Sequence, residues 1–249
     1  MKIELKENER IDDLELNDIK IIQNLKYFCF GIDSVLLSDF SKEIKKGSII
    51  ADLGTGNGII PLLMSQKIDS PKIFGIEIQE ELVELARRNV ELNDLKKVIE
   101  ISNINIKELH NTFGDNFFDA IITNPPYKKA GSGIKNPDIH KEIARHEIEC
   151  NLEDIIVNAK KTLKNNGSLY MVHRPERIAD ICYLLKKHKL EPKKMRMVYS
   201  NINSLPKLVL IKATKAAKEF LNVEKPLYIY NLDGTYTEEI LKIYGKKGN

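Results

Sequence analysis

From Ser48 onward, short β-branched runs alternate with longer stretches of helical period. Ser48–Leu53 predicts a buried strand closed by a glycine-rich turn, and Ile59–Lys67 then carries apolar residues at helical spacing. Lys72–Ile78 predicts a second strand. Glu80–Asn93 is the clearest helix, with Leu82, Val83, Leu85, Ala86, Val90 and Leu92 forming a wide apolar stripe. Strands follow at Val98–Ser102 and Phe118–Thr123, a helix at Leu152–Leu163, and a strand at Gly167–Val172. Pro175 opens a helix to Lys189, and two late strands lie around Lys194–Tyr199 and Leu208–Lys212. The tail, from Pro226 to Tyr236, reads as a hairpin with an Asp233-Gly234 turn. Alternating strands and helices imply an α/β domain around a mostly parallel sheet, with its ligand outside the carboxyl ends of the strands.

Composition narrows this picture. A chain of 249 residues buries a core without disulfide help, and 30% charged residues of nearly balanced sign exclude a disordered tail protein. No apolar run approaches the roughly 20 residues that span a bilayer, and the charged start lacks a signal peptide's apolar stretch, so the cytoplasm is expected. Cys29, Cys150 and Cys182 are far apart and read as reduced thiols. The five histidines form neither HExxH nor a zinc spacing, so no metal is expected.

Candidate chemistry gathers at two strand ends. In Asp52-Leu53-Gly54-Thr55-Gly56-Asn57-Gly58 the glycines let a ligand approach the backbone at a helix start. The spacing is GxGxG, whereas the dinucleotide fingerprint is GxGxxG. Glu77 ends the second strand, where a carboxylate can accept hydrogen bonds from both ribose hydroxyls. Asp52, just before the glycines, suits a positively charged ligand better than a pyrophosphate. The sulfonium and amino group of S-adenosylmethionine (SAM) fit that charge, which tilts the reading to a methyltransferase. Asn124-Pro125-Pro126-Tyr127 directly follows the fourth strand. The Asn124 amide and the Pro125 carbonyl can accept hydrogen bonds from a planar NH2 group, and Tyr127 offers a ring for a flat substrate.

The order DLGTGNG, IEI and NPPY resembles the Rossmann-like, SAM-dependent N-methyltransferases of nucleobase or amide nitrogens. The segment Phe30–Leu37, the runs Ala144–Glu147 and Met171–Arg177, and the closing Pro226-Leu227 and Asp233–Thr237 are similar to motifs of the bacterial tRNA adenine-N6 methyltransferases, which act beside the anticodon of a valine tRNA. The resemblance implies a class I fold with a seven-stranded, mostly parallel sheet and helices on both faces. Residues 1–45 would form an amino-terminal arm, 46–215 the methyltransferase domain and 216–249 a carboxy-terminal hairpin appendage. It further implies SAM contacts from Phe30, Asp33, Asp52, Gly54, Thr55, Gly56, Asn57, Gly58, Glu77, Ile78, Asn105 and Asn124. Asn124, Pro125, Pro126 and Tyr127 would grip the target adenine. Where the family usually has an Asp, this chain has Asn105, which forfeits charge assistance worth on the order of 1 kcal/mol.

The tRNA contacts expected are Lys128, Arg145, His146, His173 and Arg174; Arg145 and His146 either brace the loop after Tyr127 or meet RNA, and His146 reads equally well as a buried structural residue. Eleven basic residues between Lys160 and Ser200 form a candidate phosphate patch or a solvated face. A monomer is favoured. Other readings stay open: a glutamine-N5 methyltransferase of release factors, an rRNA guanine-N2 methyltransferase, or an RNA-binding protein with a decayed cofactor site. The first normally has a helical domain before the glycine turn, where about 45 residues stand here. A DNA adenine methyltransferase usually needs a target-recognition region, which is not visible.

Overall fold

The computed structural model describes residues 4–14, 18–26, 31–127 and 151–246. The chain opens with an antiparallel pair, β1 (Glu9–Asp13) and β2 (Lys20–Asn24), and helix α1 (Ile32–Phe40). Then come β3 (Ile49–Leu53), α2 (Ile59–Lys67), β4 (Lys72–Glu77), α3 (Glu80–Leu92), β5 (Ile99–Asn103), α4 (Leu109–Phe113) and β6 (Phe118–Thr123). Helix α5 (Leu152–Thr162), β7 (Leu163–His173), α6 (Ile178–Lys187), β8 (Leu190–Tyr199) and β9 (Pro206–Lys215) follow. Two short strands, β10 (Asn222–Val223) and β11 (Leu227–Tyr228), precede a last helix, α7 (Glu238–Ile243).

The sheet runs β5-β4-β3-β6-β7-β9-β8, with β10 and β11 both beside β8, so two short strands join the seven expected. β3 to β7 are parallel, and β9 is antiparallel to both β7 and β8. The central strands read as continuous apolar runs because both faces are covered. On one face Val35, Leu62, Leu63, Val83 and Ala86 from α1–α3 pack with Ile50, Ile73 and Ile122. On the other, Leu109, Ile155, Ile156, Ile181 and Leu185 from α4–α6 pack with Ala51, Leu53, Phe118 and Ile121.

Several boundaries differ from the sequence reading. β8 and β9 extend beyond the expected cores because they pair with each other from Leu190–Lys215 to Tyr199–Pro206. Pro175–Arg177 is a 3-10 turn that precedes α6. The tail hairpin shrinks to one antiparallel bridge, Tyr230–Tyr236, around a Gly234 with φ of 86°. Leu227 and Ile229 are buried in the main core, and burying them is worth more than a solvent-exposed hairpin; β11 therefore adds to β8 in parallel.

The β1–β2 pair was not expected, and its outer edge is held in an unusual way. Asn93 Oδ1 accepts from Lys20 N (2.9 Å) while its Nδ2 donates to Lys20 O (2.7 Å). One turn earlier, Asn89 repeats the pattern on Ile22, at 2.6 and 3.1 Å. Two side-chain amides on α3 thus act as a strand edge. Arg88, on the same helix, grips the Glu9 carboxylate at 2.8 Å.

Candidate active site

Register brings the predicted residues to one rim. Leu53 pairs with Ile76 on one side and Thr123 on the other, so Asp52, Glu77 and Asn124 all lie at the carboxyl ends of adjacent strands. The Thr123 hydroxyl donates to Leu53 O (3.0 Å), and the Gly54 and Thr55 amides donate to Ile76 O at 2.9 and 3.0 Å, which fixes the turn over β4. That close approach needs Gly75: a Cβ there would stand 2.6 Å from Ile101 Cδ1 and 3.0 Å from the Thr55 side chain. Gly54 and Gly56 take φ of 73° and 56°, and nothing lies within 4 Å of where their Cβ atoms would be.

Asp52 is fully buried, and neither carboxylate oxygen has a hydrogen-bond partner; the buried Thr55 hydroxyl is also unpartnered. Burial pushes the Asp52 carboxyl up to about 7, the nearby Thr55 hydroxyl opposes it without forming a well-aimed bond, and the Glu77 charge raises it further. A buried acid left without a protein partner is completed by a cation or a donor from a ligand. Glu77 has its own supports: Oε2 accepts from Gly56 N (3.0 Å), and Oε1 from Ile78 N (2.9 Å) and Gln79 N (3.0 Å), at the start of α3. Asn89 also donates to Asn57 O (2.9 Å), tying the glycine turn to α3. Asn105 caps a 3-10 turn, its Oδ1 accepting from Lys107 N (2.9 Å). The donor set therefore fits SAM. Asp52 and Thr55 would meet the charged methionyl end, the open glycine turn would lie along the ligand, and Glu77 would take the ribose hydroxyls.

Beside this cradle, α1 meets the Asn-Pro-Pro-Tyr segment. The Tyr127 hydroxyl is shared between Asp33 Oδ2 (2.5 Å) and Asn124 Oδ1 (2.8 Å), and Asn124 Nδ2 donates to Ser34 Oγ (3.4 Å). Burial and the Asp33 charge raise the Tyr127 phenol, with Arg174 opposing, so it remains a donor. The Arg174 guanidinium lies over the Tyr127 ring, 4.9 Å from its centroid. His173 is buried beside that ring, with centroids 5.4 Å apart. Burial, together with the Arg177 charge, lowers its imidazole to about 4. His173 is thus neutral at pH 7, and Nδ1 accepts from Arg174 N (2.8 Å). It packs against Tyr127, while Arg174 is the exposed member of the pair.

Phe30, Lys128, Arg145 and His146 lie outside the described residues. Asp33 is placed against Tyr127, and nothing in its motif announced that partner. Asn89 was missed altogether; its only signal was an Asn at a core position of the clearest helix. The run of basic residues does not gather at the rim. Lys160 and Lys161 end α5, and Lys186, Lys187 and Lys189 end α6 or follow it, at the amino ends of β7 and β8. Lys186 pairs with Glu191 and Glu219, Lys187 with Glu153, Lys194 with Glu43, and Arg196 with Glu239.

Comparison with known proteins adds a family and a fold. The methyltransferase small domain family matches residues 31–188. A tRNA1(Val) (adenine(37)-N6)-methyltransferase of Porphyromonas gingivalis is 30% identical over 220 residues, covering 86% of each chain. A protein of the same name from Haemophilus influenzae is 27% identical, covering 90% of this chain and 92% of its own. Among solved structures, a "predicted O-methyltransferase" of Agrobacterium tumefaciens superposes with a TM-score of 0.70 at 20% identity, covering 87% of this chain and 98% of the other. A SAM-dependent O-methyltransferase of Thermotoga maritima gives a TM-score of 0.54 at 19% identity, covering 79% and 70%. At these identities the two structures speak to fold alone.

Proposed function

The chain belongs to the methyltransferase small domain family and, within it, to the tRNA1(Val) (adenine(37)-N6)-methyltransferases, and we propose that it methylates the exocyclic N6 of an adenine in tRNA. The methyl donor is SAM, and the target is adenine 37 of a valine tRNA, the base and tRNA that the relatives' names give for those proteins. One observation carries the reading. A buried, unpartnered Asp52 and the Asn124–Tyr127 segment stand on adjacent strand ends of one rim.

SAM would supply a methyl group made electrophilic by its sulfonium and leave as S-adenosylhomocysteine, while the methylated amine releases one N6 proton to solvent. The chain supplies position and polarity. Asp52 would hold the cationic end, Glu77 the ribose and Asn105 the cofactor's adenine. Asn124 Oδ1 and the Pro125 carbonyl accept the two N6 hydrogens and draw them from the ring plane, which exposes a lone pair that is otherwise delocalised. Asn124 Oδ1 has a second lone pair beyond the one that Tyr127 engages, so it can serve both. Holding the amine against the methyl group contributes about 7–11 kcal/mol, on the scale of intramolecular reactions. The adenine leaves its stack at little cost in an unpaired loop.

The test is transfer from labelled SAM to unmodified bulk tRNA, followed by nucleoside analysis. N6-methyladenosine in one tRNA species is expected. Label in rRNA or a release factor, with none in tRNA, would move the reading to those substrates. Asn124→Ala should abolish transfer and leave SAM binding nearly unchanged; equal loss of both would remove the role given to Asn124.

A further inference from the structure

Much of the basic run is ion-paired or stands at the far ends of the strands. The catalytic rim offers a different surface. β8 ends at Tyr199, β9 starts at Pro206, and His173, the last residue of β7, pairs with Val209. The Ser200–Leu205 loop and the segment after β11 therefore leave the sheet at the same edge as Tyr127 and Arg174. Tyr230 N donates to Ser200 O (2.8 Å), joining the two loops.

On this edge Tyr230 and Tyr236 stack, with centroids 5.2 Å apart and planes 13° from parallel, and Tyr244 continues the stack at 5.9 Å and 29°. Tyr230 and Tyr236 are 39% and 40% exposed, and Leu232, at the tip of their loop, is 71% exposed. The loop's polar groups serve one another. Asn231 Nδ2 donates to Thr235 Oγ1 (3.0 Å) and Tyr236 O (3.2 Å), and Asp233 Oδ1 accepts from Thr235 N (2.9 Å) and Oγ1 (2.7 Å). These bonds hold the loop in a rigid frame and leave Tyr230 and Tyr236 partly exposed to water, while Tyr244 joins the stack to the core. Exposed Arg174 and Lys207 lie between the rings and the reaction site, and Arg174 Nη1 donates to Lys207 O (3.2 Å).

We propose that the Tyr230–Tyr236 pair, with Tyr230 as its outer ring and Tyr236 backing it, forms a stacking platform for an unpaired base of the RNA substrate that flanks the target adenine. The inference rests on the reading of the chain as a tRNA methyltransferase and names a part of its substrate site. β7, β9, β8 and β11 are successive neighbours, so the platform lies about 14 Å along the rim from the end of β7, at about 4.8 Å per strand. A few nucleotides of a splayed anticodon loop bridge that span. Aromatic faces hold bases of any sequence, and a preorganised pair loses little entropy on binding.

The experiment measures methyl transfer to an anticodon stem-loop RNA by wild type, Tyr230→Ala, Tyr236→Ala and the matching Phe variants. Tyr183→Ala serves as a control, since that ring is 66% exposed on α6. Loss of one stacking face should raise KM for RNA about five- to tenfold, with kcat and SAM affinity unchanged and the salt dependence of binding retained. The Phe variants and Tyr183→Ala should match wild type. An unchanged KM in both Ala variants, or Phe variants as impaired as Ala, overturns the platform. A change of oligomeric state without a change in KM overturns it in favour of an interface between copies. Should an Ala variant unfold, wild-type protein cross-linked to RNA carrying 5-iodouridine beside the target decides: cross-links at Tyr230 or Tyr236 support the platform, and their absence overturns it. Absence of any wild-type transfer to tRNA overturns the functional reading itself, and the platform with it.

Discussion

Asp52 is the residue whose chemistry was most legible in the sequence and whose energetics were not. An acid before a glycine turn pointed to a cationic ligand; that it would be fully buried without a partner depended on β4 and β6 pairing on either side of it. Its carboxyl stands at about 7 in the folded chain against a usual 3.8. Between those values the unfolded chain carries the charge and the native chain keeps the proton, so the contribution of Asp52 to stability is fully present below about pH 4 and is lost as pH rises to 7. Asp52→Asn removes that slope. Without ligand, the variant should melt higher than wild type at pH 7.5, by on the order of 2 kcal/mol, and the difference should vanish near pH 4. SAM favours the ionised carboxylate, so wild-type affinity should strengthen from pH 6 to 8. Asp52→Asn should bind about 10–100-fold more weakly with a flat profile. Melts and titration calorimetry across pH check both. The contact between Tyr127 and Asp33 was not legible, because residues 94 positions apart meet only after the sheet forms.

At the scale of elements, periodicity located the strands that both faces bury and the amphipathic α3. It did not find β1–β2, whose partners are side chains on α3. Asn89 is fully buried and serves Ile22 N, Ile22 O and Asn57 O at once. One side chain therefore holds the amino-terminal pair and the glycine turn to the same helix. Asn89→Ala leaves one donor and two acceptors unpaired, at a cost of about 3 kcal/mol or more. At roughly 2–4 °C per kcal/mol for a chain of this size, the midpoint of thermal unfolding should fall by about 6–12 °C. SAM affinity should fall with it, since Asn57 lies in the cofactor turn; a melt and a cofactor titration on the same sample check this. A midpoint within about 2 °C of wild type would mean that water replaces the amide.

For the whole molecule, net charge was a poor guide, since the basic run is dispersed along the strands once α5 and α6 turn it back through the fold. The tail, by contrast, matters more than its short motifs suggested. Ile240 and Ile243 on α7 are buried in the same core as Val35, Leu36 and Leu37 on α1, and α1 carries the Asp33 and Ser34 that hold Tyr127 and Asn124. The chain's end thereby supports the reacting segment through a single packed helix. Ile240→Ala removes a fully buried side chain, at a cost of about 2–5 kcal/mol, and should lower the melting midpoint by about 5–15 °C. The Asp52–Glu77 cradle stands on β3, β4 and α3, away from this contact. At a temperature where the variant is still folded, SAM affinity should therefore stay within about twofold of wild type, while kcat falls about tenfold as Tyr127 and Asn124 lose their fixed placement. Parallel loss of SAM affinity and kcat would show that the cavity spreads through the core to the cofactor side, and that α1 transmits no separate effect to the reacting segment.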